Sequence, residues 1–150
     1  MGANEKLIIL IVEDNADAVA LLHRAFIKAG VTIPTHVCQD GMDAMQYLRG
    51  EGRYSDRATY PFPRVLITEL KMPRCSGFDL LEWLQRHPEC KVIPVMVLTD
   101  STAKEDIKRA YQLGANAYFQ KPKGLAETVE IVKQASDFWT LALVPELPTC

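Results

Sequence analysis

Two runs, LIILIV at residues 7–12 and PVMVLT at 94–99, are apolar without interruption and rich in β-branched residues. A strand with one face in water would alternate apolar and polar residues, so these runs read as strands buried on both faces. Such strands need helices above and below the sheet, and the intervening segments supply them. After Asn15 and Asp17, either of which can cap a helix, Val19, Leu22, Ala25 and Phe26 recur at helical spacing. THVC at 35–38 reads as a short strand, and Asp40-Gly41 turns the chain into a helix ending near Arg49. Residues 64–68 form the next strand. The helix over roughly 77–86 opens with Ser76 and Asp79 spaced as a capping box. A helix at 102–113 closes at Gly114, placed for a left-handed cap. AYFQ at 117–120 is the fifth strand, and 124–139 the last helix. Strands alternating with helices in this way predict an α/β fold: a doubly wound five-stranded parallel sheet with five helices. Its functional residues should lie at the carboxyl ends of the strands.

The 150 residues suit one domain, 1–150, with a core over about 6–138 and an apolar tail at 139–150. A net charge of −2 gives no basic surface of the kind that nucleic acid recruits. LIILIV is too short to cross a bilayer and lacks the flanks of a secretory signal, so no membrane association is expected. Cys38, Cys75, Cys90 and Cys150 are scattered without a CxxC pair, which reads as reduced thiols in a cytoplasmic protein. Two segments exceed a minimal α/β unit. The connection from Gly50 to Pro63 is long, and its glycines and prolines suit an ordered excursion or a mobile lid. On the last helix, Leu125, Val129 and Val132 form one stripe, which Ile131, Ala135 and Phe138 widen beyond the roughly 100° that packing on a sheet requires. That excess calls for cover, either by the tail FWTLALVPELP or by a partner such as a second copy of the chain.

Polar residues collect where the strands end: Glu13-Asp14 after the first, Glu69 after the third, Thr99 at the end of the fourth and Lys121-Pro122 after the fifth. A parallel sheet brings these ends into one crevice. Three carboxylates close together repel, and some take up protons unless a cation neutralises them. Oxygen donors favour a hard ion such as Mg²⁺, which commonly uses one or two carboxylates together with waters and a phosphate. Thr99 offers a hydroxyl donor and Lys121 a point charge for phosphoryl oxygens. Phosphoryl transfer rests on positioning and charge neutralisation, and a carboxylate can serve as its nucleophile.

VEDN at 12–15, the acid in ELKMP followed by Ser76-Gly77, LTDS at 98–101 and GANAYFQKP at 114–122 together resemble the receiver domain of bacterial two-component response regulators, over about residues 6–138. The resemblance implies a flavodoxin-like sheet and a signalling protein rather than an enzyme. It implies Mg²⁺ held by Glu13, Asp14, Glu69 and the backbone carbonyl of Lys71, with Glu69 at the phospho-acceptor position. It further implies Thr99 as switch hydroxyl, Tyr118 as switch aromatic, Lys121 as the lysine that senses phosphate, and a cis bond before Pro122. Tyr118 reads equally well as a packing residue. The insert YLRGEGRYSDRATYPFPR and the tail DFWTLALVPELP are similar to single-domain regulators associated with phytochrome-type histidine kinases, which implies a sensor histidine kinase as partner. No residues remain for a DNA-binding output domain, so output is expected through protein contacts in a phosphorelay.

The departure from the family is Glu69, where the pattern has aspartate. One added carbon–carbon bond moves the carboxylate by about 1.5 Å. A Mg²⁺ shell with metal–oxygen distances near 2.1 Å tolerates little of that, so the metal site is expected to be weakened. A misplacement of about 1 Å can cost on the order of a hundredfold in rate. Three readings follow. Glu69 is a partial phosphomimic reaching Thr99 or Lys121; or phosphorylation persists on Glu69 or on the adjacent Thr68; or the domain is a phosphate-independent binding module, in its plainest form holding a Glu69–Lys121 ion pair. A small Mg²⁺-dependent phosphohydrolase is the reading from another class. It needs a general acid or base near its nucleophile, and His23, His36 and His87 all fall away from the strand ends.

Overall fold

The computed structural model describes residues 7–141. Five strands, β1 (Ile9–Val12), β2 (Thr35–Cys38), β3 (Val65–Thr68), β4 (Val95–Thr99) and β5 (Ala117–Gln120), form one sheet in the order β2-β1-β3-β4-β5. Every pairing is parallel. The chain leaves β1 towards β2 and then returns to add β3 on its other side, so the crevice where ligands gather in such sheets opens between β1 and β3.

Alternate strand residues enter two separate cores. Leu10, Val12, Leu66, Val95 and Val97 face α2 (Gly41–Arg49), α3 (Gly77–Gln85) and Ala110 of α4 (Lys104–Gln112). Ile9, Ile11, Val65, Ile67, Met96 and Leu98 face α1 (Ala16–Lys28) and α5 (Leu125–Leu141). This two-sided burial is why the strand sequences show no polar alternation.

The helix starts carry the expected chemistry. Asn15 rather than Asp17 caps α1, its side chain accepting from the Ala18 amide, and Asp40 caps α2 in the same way through Asp43. The capping box of Ser76 and Asp79 at α3 is complete in both directions. At α4 the first helical residue is Lys104, and Ala103 at its cap has no side-chain bond to offer. Ser101 substitutes, accepting from the Ala103 amide and donating to Asp106 at 2.6 Å. Gly114 closes α4 at φ +105°, a conformation that favours glycine.

The long connection is an ordered excursion. Arg57 donates to the carbonyls of Tyr47 and Leu48 at the end of α2 and to that of Tyr60, at 2.7–3.1 Å. Tyr47 donates to the Pro61 carbonyl, and His36 on the edge strand β2 meets the Thr59 carbonyl at 3.2 Å. Tyr47, Tyr54 and Tyr60 pack ring against ring beside His36, with centroids 4.9–6.0 Å apart. The excursion thus shields the edge strand, which otherwise presents unpaired backbone groups.

The last helix corrects the expected apolar excess. Val132 is buried, and Leu125, Val129, Ile131, Ala135 and Trp139 all pack against the α1-side core. Phe138 stays 68% exposed. α1 and α5 lie side by side, so the core-facing surface of α5 is wider than contact with a sheet alone requires. The tail residues Leu143, Val144 and Leu147 lie outside the described residues. Cys38, Cys75 and Cys90 are buried free thiols, and burial pushes the Cys38 thiol up to about 12, which keeps it unreactive. Among the described residues no helix is long and apolar enough to cross a membrane.

Candidate functional site

Backbone bonds carry the sheet one residue beyond its strands and so place the site. The amide of Glu13 donates to the Cys38 carbonyl, that of Glu69 to Val12, and that of Lys121 to Thr99 at 2.7 Å. These three side chains converge. The Lys121 ammonium lies 2.6 Å from Glu13 Oε1 and 2.9 Å from Glu69 Oε1. The remaining oxygens are also taken, because Glu13 Oε2 accepts from the Asn15 amide at 3.1 Å and Glu69 Oε2 from the Leu70 amide at 2.6 Å. Both glutamates are 7% exposed.

The electrostatics follow from this closure. Burial raises the Glu13 carboxyl above its ordinary range despite the Lys121 and Asn15 bonds, and the charge of Glu69 adds to the rise. Burial alone would lower the Lys121 ammonium, but its two carboxylate partners outweigh that and raise it. The lysine stem runs beside a cavity of about 50 Å³ walled by Ile11, Leu22, Ile67 and Leu98, so its charged end has apolar surroundings on one side.

The other expected residues sit around this triad. Asp14 is exposed and makes no part of it. Thr99 is buried and its hydroxyl accepts from the Ser101 amide at 3.5 Å. Thr68 is fully buried, and its hydroxyl donates to the Glu69 carbonyl at 2.8 Å. A hydroxyl enclosed in this way is shut off from a phosphoryl donor, which argues against Thr68 as an acceptor. Tyr118 is half-buried and donates to the Ser101 carbonyl at 2.9 Å, tying β5 to the loop before α4. Lys71 is exposed, and its side chain reaches Asp106 on α4 at 3.4 Å. The peptide bond before Pro122 is trans, against the expectation of a cis bond. The two isomers of an X-Pro bond differ by only about 0.5–1 kcal/mol in a free chain, so local sequence does not decide between them.

Three features of the site were invisible in the sequence reading. Asp106 gathers the Ser101 hydroxyl and the Lys71 ammonium, which together hold its carboxyl below the usual range, hydroxyl first. A serine just before a helix and an acid in its first turn was the available signal. Arg74, at φ +68°, pairs with the buried Asp40 and ties the loop after β3 to α2. Gly41 supports the same junction by donating to the Cys75 carbonyl at 3.0 Å. His23, His36 and His87 bond to Thr35, to the Thr59 carbonyl and to the Trp83 carbonyl, none of them at the triad.

Gly77 sets how closely α3 approaches Glu69. A Cβ there would meet the Glu69 carbonyl oxygen and stand 2.9 Å from Leu70 Cα, and backbone cannot swing aside. Gly77→Ala is therefore expected to destabilise the fold by about 1–3 kcal/mol, the usual cost of overpacking. Urea denaturation measures this, and a loss below about 0.5 kcal/mol would show that the loop yields freely.

The donor set does not fit a divalent ion in this arrangement. All four carboxylate oxygens of Glu13 and Glu69 accept hydrogen bonds from the protein itself. Among the described residues no group of three or more His, Cys, Asp or Glu side chains is drawn together to hold a metal.

A doubly wound sheet with buried acids, a hydroxyl and a lysine at its switch point defines a receiver-type signalling domain. Residues 9–133 match the response regulator receiver domain, and the chain belongs to that family. It is similar to the probable methanogenesis regulatory protein FilR2 of Methanothrix harundinacea, at 34% identity over 142 residues, covering 93% of this chain and 87% of the relative. The structure of the phosphorylated cyanobacterial phytochrome response regulator RcpA matches with a TM-score of 0.85 at 33% identity, covering 95% of this chain and all of that one. The response regulator Rcp1 of Synechocystis is 28% identical over 137 residues, covering 91% of each chain. Its Mn²⁺-bound structure matches with a TM-score of 0.82, covering 93% of this chain and 99% of that one. The chain is thus a response regulator of two-component signalling, related to the phytochrome response regulators. Receiver domains bind Mg²⁺ or Mn²⁺, interact with sensor histidine kinases and are in general signalling modules rather than enzymes.

Proposed function

We propose that this receiver signals through protein contacts without accepting a phosphoryl group, and that Glu69 stands at the acceptor position as a permanent, protein-neutralised carboxylate. The observation that carries this reading is the closure of the triad. Glu69 Oε1 is bound by Lys121 and Glu69 Oε2 by the Leu70 amide, so neither oxygen is free to attack an incoming phosphorus. In-line attack tolerates misalignment poorly. Glu69 mimics phosphate in part, since one carboxylate has about half the charge of a phosphoryl group and fewer acceptor oxygens. On this reading Lys121 senses Glu69 itself, and Thr99 and Tyr118 pass the state to the loop before α4. A phytochrome-type sensor histidine kinase is the upstream partner, and the exposed Phe138 with the tail beyond it forms a homodimer contact. Glu13, Asp14, Glu69 and the Lys71 carbonyl are the positions at which the family's metal would be held.

The test is intact-mass analysis after incubation with acetyl phosphate and Mg²⁺, comparing the parent with Glu69→Asp. The parent is expected to show no adduct and the variant to gain one phosphoryl group. An adduct mapped to Glu69 in the parent would overturn the reading. Catalytic turnover of a phosphate ester would instead revive the hydrolase.

A further inference from the structure

We propose that Lys121 is a tethered cation that takes the place of a divalent metal between Glu13 and Glu69, so that this receiver contains a latent metal site blocked by its own side chain. The inference concerns the same site as the proposed function but does not depend on phosphate independence. A parent that accepted phosphate yet bound no metal would refute that function and leave this proposal standing.

Three observations converge on it. The ammonium touches one oxygen of each glutamate at 2.6 and 2.9 Å, bridging them as an ion would. The other two oxygens are held by the amides of Asn15 and Leu70, which fixes both carboxylates in place whether or not the lysine is present. Finally, both glutamates are buried in a site with apolar walls, so some cation is needed there at all times.

A metal cannot simply join the lysine. Metal–oxygen distances near 2.1 Å would set a divalent ion on the oxygens already bound by the ammonium, leaving the two cations no farther than about 5 Å apart. In a site this buried their repulsion is poorly screened. Metal entry therefore requires the lysine to leave, and with it both of its carboxylate bonds. Glu13 and Glu69 supply two carboxylates, the number that Mg²⁺ or Mn²⁺ commonly takes from a protein, with water completing the shell. Taking away the ammonium while keeping the glutamates should expose that capacity.

The experiment titrates Mn²⁺ into the full chain at neutral pH and follows the electron paramagnetic resonance signal of the free ion, for the parent and for Lys121→Met. The variant is expected to bind one Mn²⁺ per chain at least tenfold more tightly than the parent. Its thermal midpoint should rise on adding Mn²⁺ while that of the parent stays unchanged. Equal affinities would overturn the proposal, as would loss of the variant's site having no dependence on Glu13→Gln. Should the variant be unfolded without metal, circular dichroism decides: refolding with Mn²⁺ supports the proposal, and failure to refold refutes it. Independently of any variant, a parent whose midpoint rises by more than about 5 °C with millimolar Mn²⁺ refutes it, because a shift of that size needs binding far above the dissociation constant.

Discussion

Replacing Lys121 with methionine is expected to cost the fold about 3–5 kcal/mol at neutral pH in the absence of metal, as is usual when one partner of a buried ion pair is removed. In a chain of this size that lowers the thermal midpoint by roughly 10 °C. The lysine is the counter-charge of two glutamates that are each 7% exposed, and methionine fills the same apolar channel without supplying a charge. Lys123, exposed two residues on, is the control, and its replacement is expected to change stability by less than about 0.5 kcal/mol.

The loss should depend on pH with a definite sign. The folded-state value of Glu13 lies above the ordinary 4.5, so the native state binds its proton before the unfolded chain does. Its contribution is fully present below 4.5 and is lost as pH rises through the folded value. Without Lys121 to oppose it, that rise becomes larger, and the deficit of the variant should narrow steadily from pH 7 towards pH 5. At the alkaline end the sign holds for the lysine itself. Its folded value is raised above 10.5, so the parent keeps this contribution below 10.5 and loses it as pH climbs through the folded value. The methionine variant should show no such alkaline loss. Urea denaturation across this range is the measurement, and a deficit independent of pH would mean that lost packing, rather than lost charge, is responsible.

Arg57→Ala is expected to cost about 3 kcal/mol and to release the excursion between α2 and β3. One guanidinium serves three carbonyls, two of them at the end of α2, and hydrogen bonds to a charged donor contribute about 1.5–3 kcal/mol each. The sum is not realised, because the helix end regains water once the excursion lifts. Hydrogen exchange should show lost protection at Tyr60, whose amide donates to the Asp56 carbonyl at 2.8 Å, and at Tyr54. The site should be spared, since Glu13, Glu69 and Lys121 share no contact with Arg57. Arg57→Lys should recover less than half of the loss, as a single ammonium cannot span three acceptors held in a fork. Retained protection in Arg57→Ala would assign the order of the excursion to its tyrosine cluster instead.

The elements most visible in the sequence were those decided by local chemistry. Ser76 and Asp79 announce a capping box because both partners lie within one turn of each other. LIILIV announces a doubly covered strand because burial on two faces leaves no room for polar residues. Glu13, Glu69, Thr99 and Lys121 could be gathered into one crevice because a parallel sheet aligns its strand ends whatever the loops contain. Gly50 to Pro63 was ambiguous because its order rests on Arg57 and on tyrosines from α2, contacts whose geometry no local spacing shows. The width of the apolar arc on α5 was misjudged for the same reason: α1 lies against it and buries Ile131 and Ala135.

By itself the sequence determined the five-stranded parallel sheet, most of its caps, and the presence of a receiver-type site with glutamate at the acceptor position. Periodicity and capping act over a few residues, and the strand ends follow from topology alone. Only the tertiary structure decided what that site does with its charges. Asp14 stands apart, Thr68 is enclosed, and Lys121 closes on Glu13 and Glu69 from 108 and 52 residues away along the chain. Which acid meets the lysine depends on side-chain reach across three strands, at the scale of an ångström. The added methylene of Glu69 acts at that scale, and only a folded sheet defines it.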